Sequence, residues 1–305
     1  MSSSEERLPI RCVAERTGVN TVTLRAWERR YGLLKPERTS KGHRLYRPSD
    51  IDRVEAIQLW LKRGVSVGQI RALLEGEDAP QAMDDRWADV LNRLGQDIRA
   101  LNRRALENWL MQATGEYPLE VLADHSLRPM LDQLRDERDR RQPTFGSAAR
   151  LELFERVLTG HFASAFYRRP PSPRLPRVLL IDTGQSTDRV VSMILACALS
   201  VNTAEVDCFS SLPQAEWVYV VEQYSPSALV LLSDTPPAAG LEGQLRELTR
   251  QLDVPIWLAG RQVRLASADL AGRCLGERVG EVCGALSARL KSNSSSINGD
   301  GVERT

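Results

Sequence analysis

The 305-residue chain carries 41 Lys and Arg against 40 Asp and Glu, and is 42% hydrophobic and 27% charged. That balance fits a soluble globular protein of two or three domains. No apolar run reaches the ~18–20 residues of a membrane span, and the opening MSSSEERLPIR lacks the apolar core of a signal peptide, so a cytoplasmic location with no membrane partner is expected.

The first region, 8–76, reads as short helices separated by turns. ERTGVNTVT ends one helix at Gly18 and starts the next, with Asn20 or Thr21 as cap. The second helix, Val22–Tyr31, stops at Gly32. LLKPERTSKGHRLYR, with Pro36 and Gly42, suits a loop or short hairpin. PSDID restarts a helix, with Ser49 as the expected cap and Asp52 three residues on. Ile51, Val54, Ile57 and Leu61 then keep a helical period. VSVGQIRALLEG gives a further helix, with Ser66 as cap.

Between 84 and 168 the pattern is all-helical. Trp87, Val90, Leu91, Leu94 and Ile98 recur on one face, and Leu101, Leu106, Trp109 and Leu110 continue the spacing. Leu119–Leu134 and Ala148–Phe166 make two more helices, split by the polar run RDERDRRQPT, which reads as a solvated helix end. A bundle of about four helices is predicted. RRPPSPRLP then marks a Pro-rich linker, 169–176.

From 177 to 290 the pattern changes to strands alternating with helices. RVLLID, AEVDCF, ALVLLSD and VPIWLAG are the strands; Thr187–Leu199, Gln214–Tyr224 and Leu241–Leu252 are helices between them. Leu275, Val279, Val282, Leu286 and Leu290 form a last helix. This is the signature of a Rossmann-like, flavodoxin-like parallel sheet covered on both faces. Residues 291–305 are polar and expected to be a disordered tail. Five scattered cysteines with no CxxC pair argue against a disulfide framework or a zinc site. Cys197 and Cys208, in apolar runs, read as small buried hydrophobes. The histidines at 43, 125 and 161 lack metal-ligand spacing.

Charge is distributed unevenly. Residues 1–75 hold 15 Lys and Arg against 9 acids, whereas the remaining 230 residues hold 26 against 31. Thr21–Arg47 alone contains eight basic residues and two acids. A helix, a Gly-containing turn and an Arg-rich second helix make a helix-turn-helix candidate, and the basic head is an electrostatic footprint for double-stranded DNA. Arg25 and Arg29 sit four apart on one exposed face. Leu24 points to the core, and Trp27 fits either core or contact. Gly42 permits a turn presenting Lys41, His43 and Arg44, and Tyr46 can offer its hydroxyl to a phosphate.

TLRAWERRYGLLKPERTSKGHRLYRPSDIDRVEAI resembles the MerR family of bacterial transcription regulators, in the subgroup whose second helix reads R-x-W-E-R-R-Y-G. The resemblance implies a winged helix-turn-helix, a homodimer on a near-palindromic operator, and distortion of promoter DNA where RNA polymerase binds. Carried over, the helix contacts fall on Thr23, Arg25, Trp27, Arg29 and Arg30, and the wing contacts on Arg38, Lys41, His43, Arg44 and Tyr46. Pairing in this family implies a helix just after the head, for which Asp84–Leu101 is the candidate, with Trp87, Leu91, Leu94 and Ile98 as its seam.

In this subgroup a bundle and a Rossmann-like domain often bind cobalamin through an acid-x-His-x-x-Gly motif after the first strand. Here those positions read Gln185, Thr187 and Val190. A Thr hydroxyl cannot replace imidazole on cobalt, so no cofactor is expected. The body is similar to a degenerate group, the MerR-like regulators of curli and biofilm-matrix genes, whose partners include cyclic-di-GMP signalling proteins. The alternative is a cobalamin-dependent, light- or vitamin-responsive repressor. Gly184, Ser186 and Thr187 at a helix start, with Ser233, form a candidate effector pocket for a small anion. An enzyme is not expected: neither G-x-G-x-x-G nor G-x-x-x-x-G-K-[ST] is present, and no nucleophile–base pair can be named.

Overall fold

The computed structural model describes residues 7–62, 65, 67–75, 84–172, 175–183, 189–201, 203–210, 212–233, 241–261, 263 and 268–299. The contacts divide the chain into two compact units, 1–161 and 162–305.

The first unit opens with strand β1 (Leu8–Pro9), helix α1 (Ile10–Thr17) and helix α2 (Thr21–Arg29). Gly18 closes α1 at φ 76°, a conformation that favours glycine, and the Asn20 side chain accepts the Thr23 amide at 2.8 Å to cap α2. The stretch left open between loop and hairpin is a hairpin: β2 (Glu37–Arg38) pairs antiparallel with β3 (Arg44–Tyr46). Its turn places Gly42 at φ 81°, and the Thr39 hydroxyl accepts the His43 amide at 3.0 Å. β1 lines the other edge of β3, with Leu8 opposite Tyr46. A two-residue strand at the head of the chain leaves no periodic signal and was not anticipated.

Helix α3 (Pro48–Lys62) departs from the expected cap. Pro48 takes the first helical position, where its missing N–H costs nothing. Asp50, not Ser49, supplies the capping oxygen, accepting the Arg47 amide at 2.8 Å. Helix α4 (Val67–Leu74) follows, and its expected cap Ser66 lies outside the described residues. Val13, Val19, Leu24, Trp27, Leu33, Leu34, Val54, Ile57, Leu61 and Ile70 form the core of this head, each at most 1% exposed.

That core does not stop at the head. Val121 belongs to it, and Trp87 and Tyr117 pack on it. The regions 8–76 and 84–168, expected as separate domains, therefore share apolar contacts within the first unit. The bundle consists of α5 (Asp84–Arg99), α6 (Arg103–Glu116), a composite helix, and α9 (Ser147–Tyr167), whose last residues belong to the second unit. The composite helix joins α7 (Leu119–Leu122) to α8 (Arg128–Asp139) through a π-helical turn at Ala123–Leu127. Part of the polar run after Leu134 is structural: Arg135 pairs with Glu155 at 3.3 Å and Arg150 with Glu137 at 3.2 Å, tying α8 to α9.

Half of the expected apolar seam of α5 packs inside the bundle. Leu94 and Ile98 are buried, and α5 contacts α6, α8 and the π turn. The other two seam residues, Trp87 and Leu91, are half-buried.

The second unit is a five-stranded parallel sheet in the order β5–β4–β6–β7–β8, from β4 (Arg177–Asp182), β5 (Glu205–Ser210), β6 (Ala228–Leu232), β7 (Ile256–Ala259) and β8 (Cys274–Gly276). Helices α10 (Arg189–Ser200), α11 (Trp217–Tyr224), α12 (Leu241–Gln251) and α13 (Val279–Gly299) alternate with the strands. The Val- and Leu-rich runs follow from burial on both faces. Leu179, Ile181, Leu229 and Leu231 pack with Val221, Leu245 and Leu248 on one side. Alternate residues Val178, Leu180 and Val230 project to the other, where α10 approaches β4 and α13. The preceding linker is tied to this unit: the Ser172 amide donates to Glu205 at 2.8 Å, and the Arg169 guanidinium donates to the Val201 carbonyl. α13 runs on through Gly299, into the stretch expected to be a disordered tail.

Candidate nucleic-acid interface

α2 is amphipathic at residue resolution. Thr23, Leu24 and Trp27 are wholly buried, while Val22, Arg25 and Arg29 are exposed along one stripe, with Val22 60% exposed. Positions 22, 25 and 29 share a face of a 3.6-residue helix. Lys41 and His43 stand exposed at the hairpin turn, and Arg38 and Arg44 face each other across β2 and β3. Two arginine guanidiniums, an apolar side chain and a basic hairpin turn thus surround the outer side of α2.

Three of the expected contacts are corrected. Thr23, Trp27 and Tyr46 are 0% exposed, so none can touch a groove without leaving the core. Trp27 is instead an anchor: its indole N–H donates to the Glu116 carbonyl at 2.9 Å, joining α2 to the end of α6. The Thr23 and Tyr46 hydroxyls are buried with no hydrogen-bond partner. Burial pushes the Tyr46 phenol up to about 12, with nearby Glu28 adding to the effect.

Arg30, expected among the contacts, is engaged at 2.9 Å by Glu116, which also accepts from Gln112 at 3.1 Å. Tyr31 is raised to about 12 by burial and then by its bond to Glu116. Glu37, between Arg47 at 2.8 Å and Arg7 at 3.0 Å, is held below the usual carboxylate range by those guanidiniums. Glu28 accepts from Arg38 at 3.0 Å and from Arg44, whose guanidinium is raised by that bond.

Sequence reasoning missed Val22, Glu28 and Glu116. Val22 was readable, three and seven residues before Arg25 and Arg29. Glu28 entered only as a subtraction from net charge. Glu116 lies 86 residues from Arg30 in the chain, and no local pattern reports so distant a partner.

Residues 8–77 match the family described as "MerR HTH family regulatory protein". The HTH-type transcriptional regulator HmrR of Rhizobium leguminosarum bv. viciae is 31% identical over 129 residues, 40% of this chain and 94% of that protein. The chain belongs to the MerR family of HTH regulatory proteins. Among other relatives, the HTH-type transcriptional regulator MlrA of Escherichia coli K12 is 37% identical over 145 residues, 48% of this chain and 56% of that protein. The chain thus spans about half the length of that relative. The HTH-type transcriptional repressor CarH of Myxococcus xanthus is 36% identical over 125 residues, 40% of this chain and 39% of that protein.

The second expected site is only partly described. Gly184, Ser186 and Thr187 lie outside the described residues. Ser233 is 3% exposed at the C-terminal end of β6, its amide bonded to the Ala259 carbonyl at 3.2 Å. Nearby on β4, buried Asp182 accepts from Ser192 at 3.1 Å. The chain's three histidines all precede residue 162, so the sheet unit offers no imidazole to cobalt and a histidine-ligated cobalamin does not fit it. His161 meets the Thr114 hydroxyl at 3.3 Å, and His125 stacks on Trp87. Burial pushes the Cys197 and Cys208 thiols up to about 12; Cys197 is buried as expected, whereas Cys208 is half-buried. Among the described residues no group of three His, Cys, Asp or Glu is placed to hold a metal, and no helix is long and apolar enough to cross a membrane.

Proposed function

We propose that this MerR-family chain is a sequence-specific DNA-binding transcription regulator in which α2 is the recognition helix and the 37–46 hairpin is the wing. The observation that carries the reading is the stripe Val22, Arg25 and Arg29 on the outer face of α2, beside Lys41 and His43 of the hairpin. Arg forks match guanine edges and phosphates, and an apolar side chain suits a thymine methyl. The protein acts as a homodimer that distorts promoter DNA and thereby governs RNA polymerase, as its family likeness suggests. Sequence-dependent deformability contributes to such recognition without base contacts.

The test is fluorescence anisotropy of the full chain on a duplex selected from a random library, against a scrambled duplex, at several salt concentrations. Arg25→Ala is expected to cost about 1–3 kcal/mol on the selected duplex if Arg25 reads a base. A uniform loss on both duplexes, with the salt slope reduced by about one, assigns it to phosphate instead. No loss on either duplex refutes the interface.

The likeness to MlrA supports control of biofilm-matrix genes, with the sheet unit meeting protein partners of the cyclic-di-GMP system. An effector pocket is proposed at Ser233, beyond the C-terminal end of β6, where the strand order reverses between β4 and β6; the other residues expected to belong to it, Gly184, Ser186 and Thr187, lie outside the described residues. Chromatin immunoprecipitation without enrichment at matrix-gene promoters would count against that pathway. The likeness to CarH favours the alternative, a cobalamin-dependent, light- or vitamin-responsive repressor. A corrin absorption band retained after dark incubation with adenosylcobalamin and desalting would establish it; a flat baseline is expected.

A further inference from the structure

Glu28 is an acid in the middle of the basic face. Its side chain is 14% exposed, and its two carboxylate oxygens go to two different arginines. Oε1 accepts from Arg38 of β2 at 3.0 Å, and Oε2 accepts from Arg44 of β3. Arg38 and Arg44 are direct cross-strand partners. Like charges opposite each other in an antiparallel pair repel, and this pair occurs in a hairpin whose first strand is two residues long. A carboxylate between them converts the repulsion into two charge-assisted bonds. Because Glu28 lies on α2, both bonds also fix the hairpin against that helix. Arg44 is 19% exposed, so this contact is screened less than a surface ion pair.

We propose that Glu28 is a positioning residue for DNA recognition, a clamp that orders the hairpin and sets its angle to α2 so that Arg25, Arg29 and the hairpin turn meet a duplex as one surface. This rests on the DNA-binding reading of α2. Net charge alone makes the opposite forecast. Replacing Glu28 with a neutral residue adds one positive charge to a face meant for phosphates and should tighten binding to any duplex.

The full chain is compared with Glu28→Gln and Glu28→Asp. Glu28→Gln is expected to weaken the selected duplex by about tenfold, the scale of one lost base-reading contact, with scrambled-duplex affinity unchanged or higher. Glu28→Asp keeps the charge but is one methylene too short to span both arginines, and is expected to lose selectivity as well. Hydrogen exchange supplies a readout without DNA. The Thr39 amide, bonded to the His43 carbonyl across the hairpin, should exchange faster in Glu28→Gln, while the amides of α3 stay protected and show that the head is folded. Tighter or equal binding of the selected duplex by Glu28→Gln overturns the clamp, and so does unchanged hairpin exchange. If the unaltered protein discriminates no duplex, the DNA-binding reading fails and the recognition role of Glu28 fails with it. Faster exchange would then leave a purely structural clamp.

Discussion

Helix α2 and strand β6 treat their side chains in different ways. α2 buries Thr23, Leu24 and Trp27 and holds Arg25 and Arg29 in solvent, whereas all five residues of β6 are buried. An amphipathic helix at a surface carries fold and recognition together, on separate stripes of one turn. A central strand of a parallel sheet has both faces covered, so its residues specify packing, and ligand chemistry is left to the loops after its C-terminal end. On the proposed reading, the head recognises its target through exposed side chains, whereas the strands of the sheet unit serve packing.

The contrast is broken most severely at the cores. Trp27→Ala removes the largest side chain buried in the head and its bond to Glu116. A loss of about 3–5 kcal/mol is expected by denaturant unfolding, and DNA binding should disappear because the α2 stripe loses its support. Leu231→Ala, wholly buried in the sheet unit, should cost about 2–5 kcal/mol. Duplex binding should survive at temperatures where the head remains folded. If Trp27→Ala is as stable as the unaltered protein, or if Leu231→Ala abolishes binding without unfolding, the division of labour between the two regions is wrong. Arg25→Ala, by comparison, should lower affinity and move stability by less than about 0.5 kcal/mol, as an exposed residue does.

The same division explains what the sequence disclosed. The element types of the sheet unit were legible because RVLLID and ALVLL are continuous apolar runs separated by helical spacing, and the helices of the bundle were legible from their period. The α2 stripe was readable in the positions of Arg25 and Arg29. Thr23, Trp27 and Tyr46 were misplaced because a polar or aromatic residue beside arginines looks the same in a sequence whether it faces DNA or the core. Only tertiary context separates the two, here the end of α6 against Trp27 and strand β1 against β3. The α5 seam was legible as a period only: an apolar stripe announces that it will be covered and is silent about which helix covers it. The joint between α7 and α8 was hidden too, since a π turn changes the hydrogen-bond partner without changing composition.

The smallest expected effect decides the most delicate point, whether Thr23 and Tyr46 touch DNA. Both hydroxyls are buried without a hydrogen-bond partner. An unpartnered buried hydroxyl costs about 1–3 kcal/mol in desolvation, so Thr23→Val and Tyr46→Phe should be neutral or stabilising by up to about 1 kcal/mol. Neither should change duplex affinity. Tyr46 adds a pH dependence of definite sign. Its phenol lies near 12 in the fold against 10 for the free group. The folded state therefore retains a proton that the unfolded state gives up, and stability is full below pH 10 and falls as pH rises from there toward 12. Tyr46→Phe should flatten that alkaline decline in urea unfolding measured between pH 9 and 11. A phosphate contact predicts the reverse pattern: weaker binding in Tyr46→Phe, a salt slope reduced by about one, and an unaltered alkaline limb. That outcome would move Tyr46 from the core to the interface, and with it the edge of the hairpin that β1 now covers.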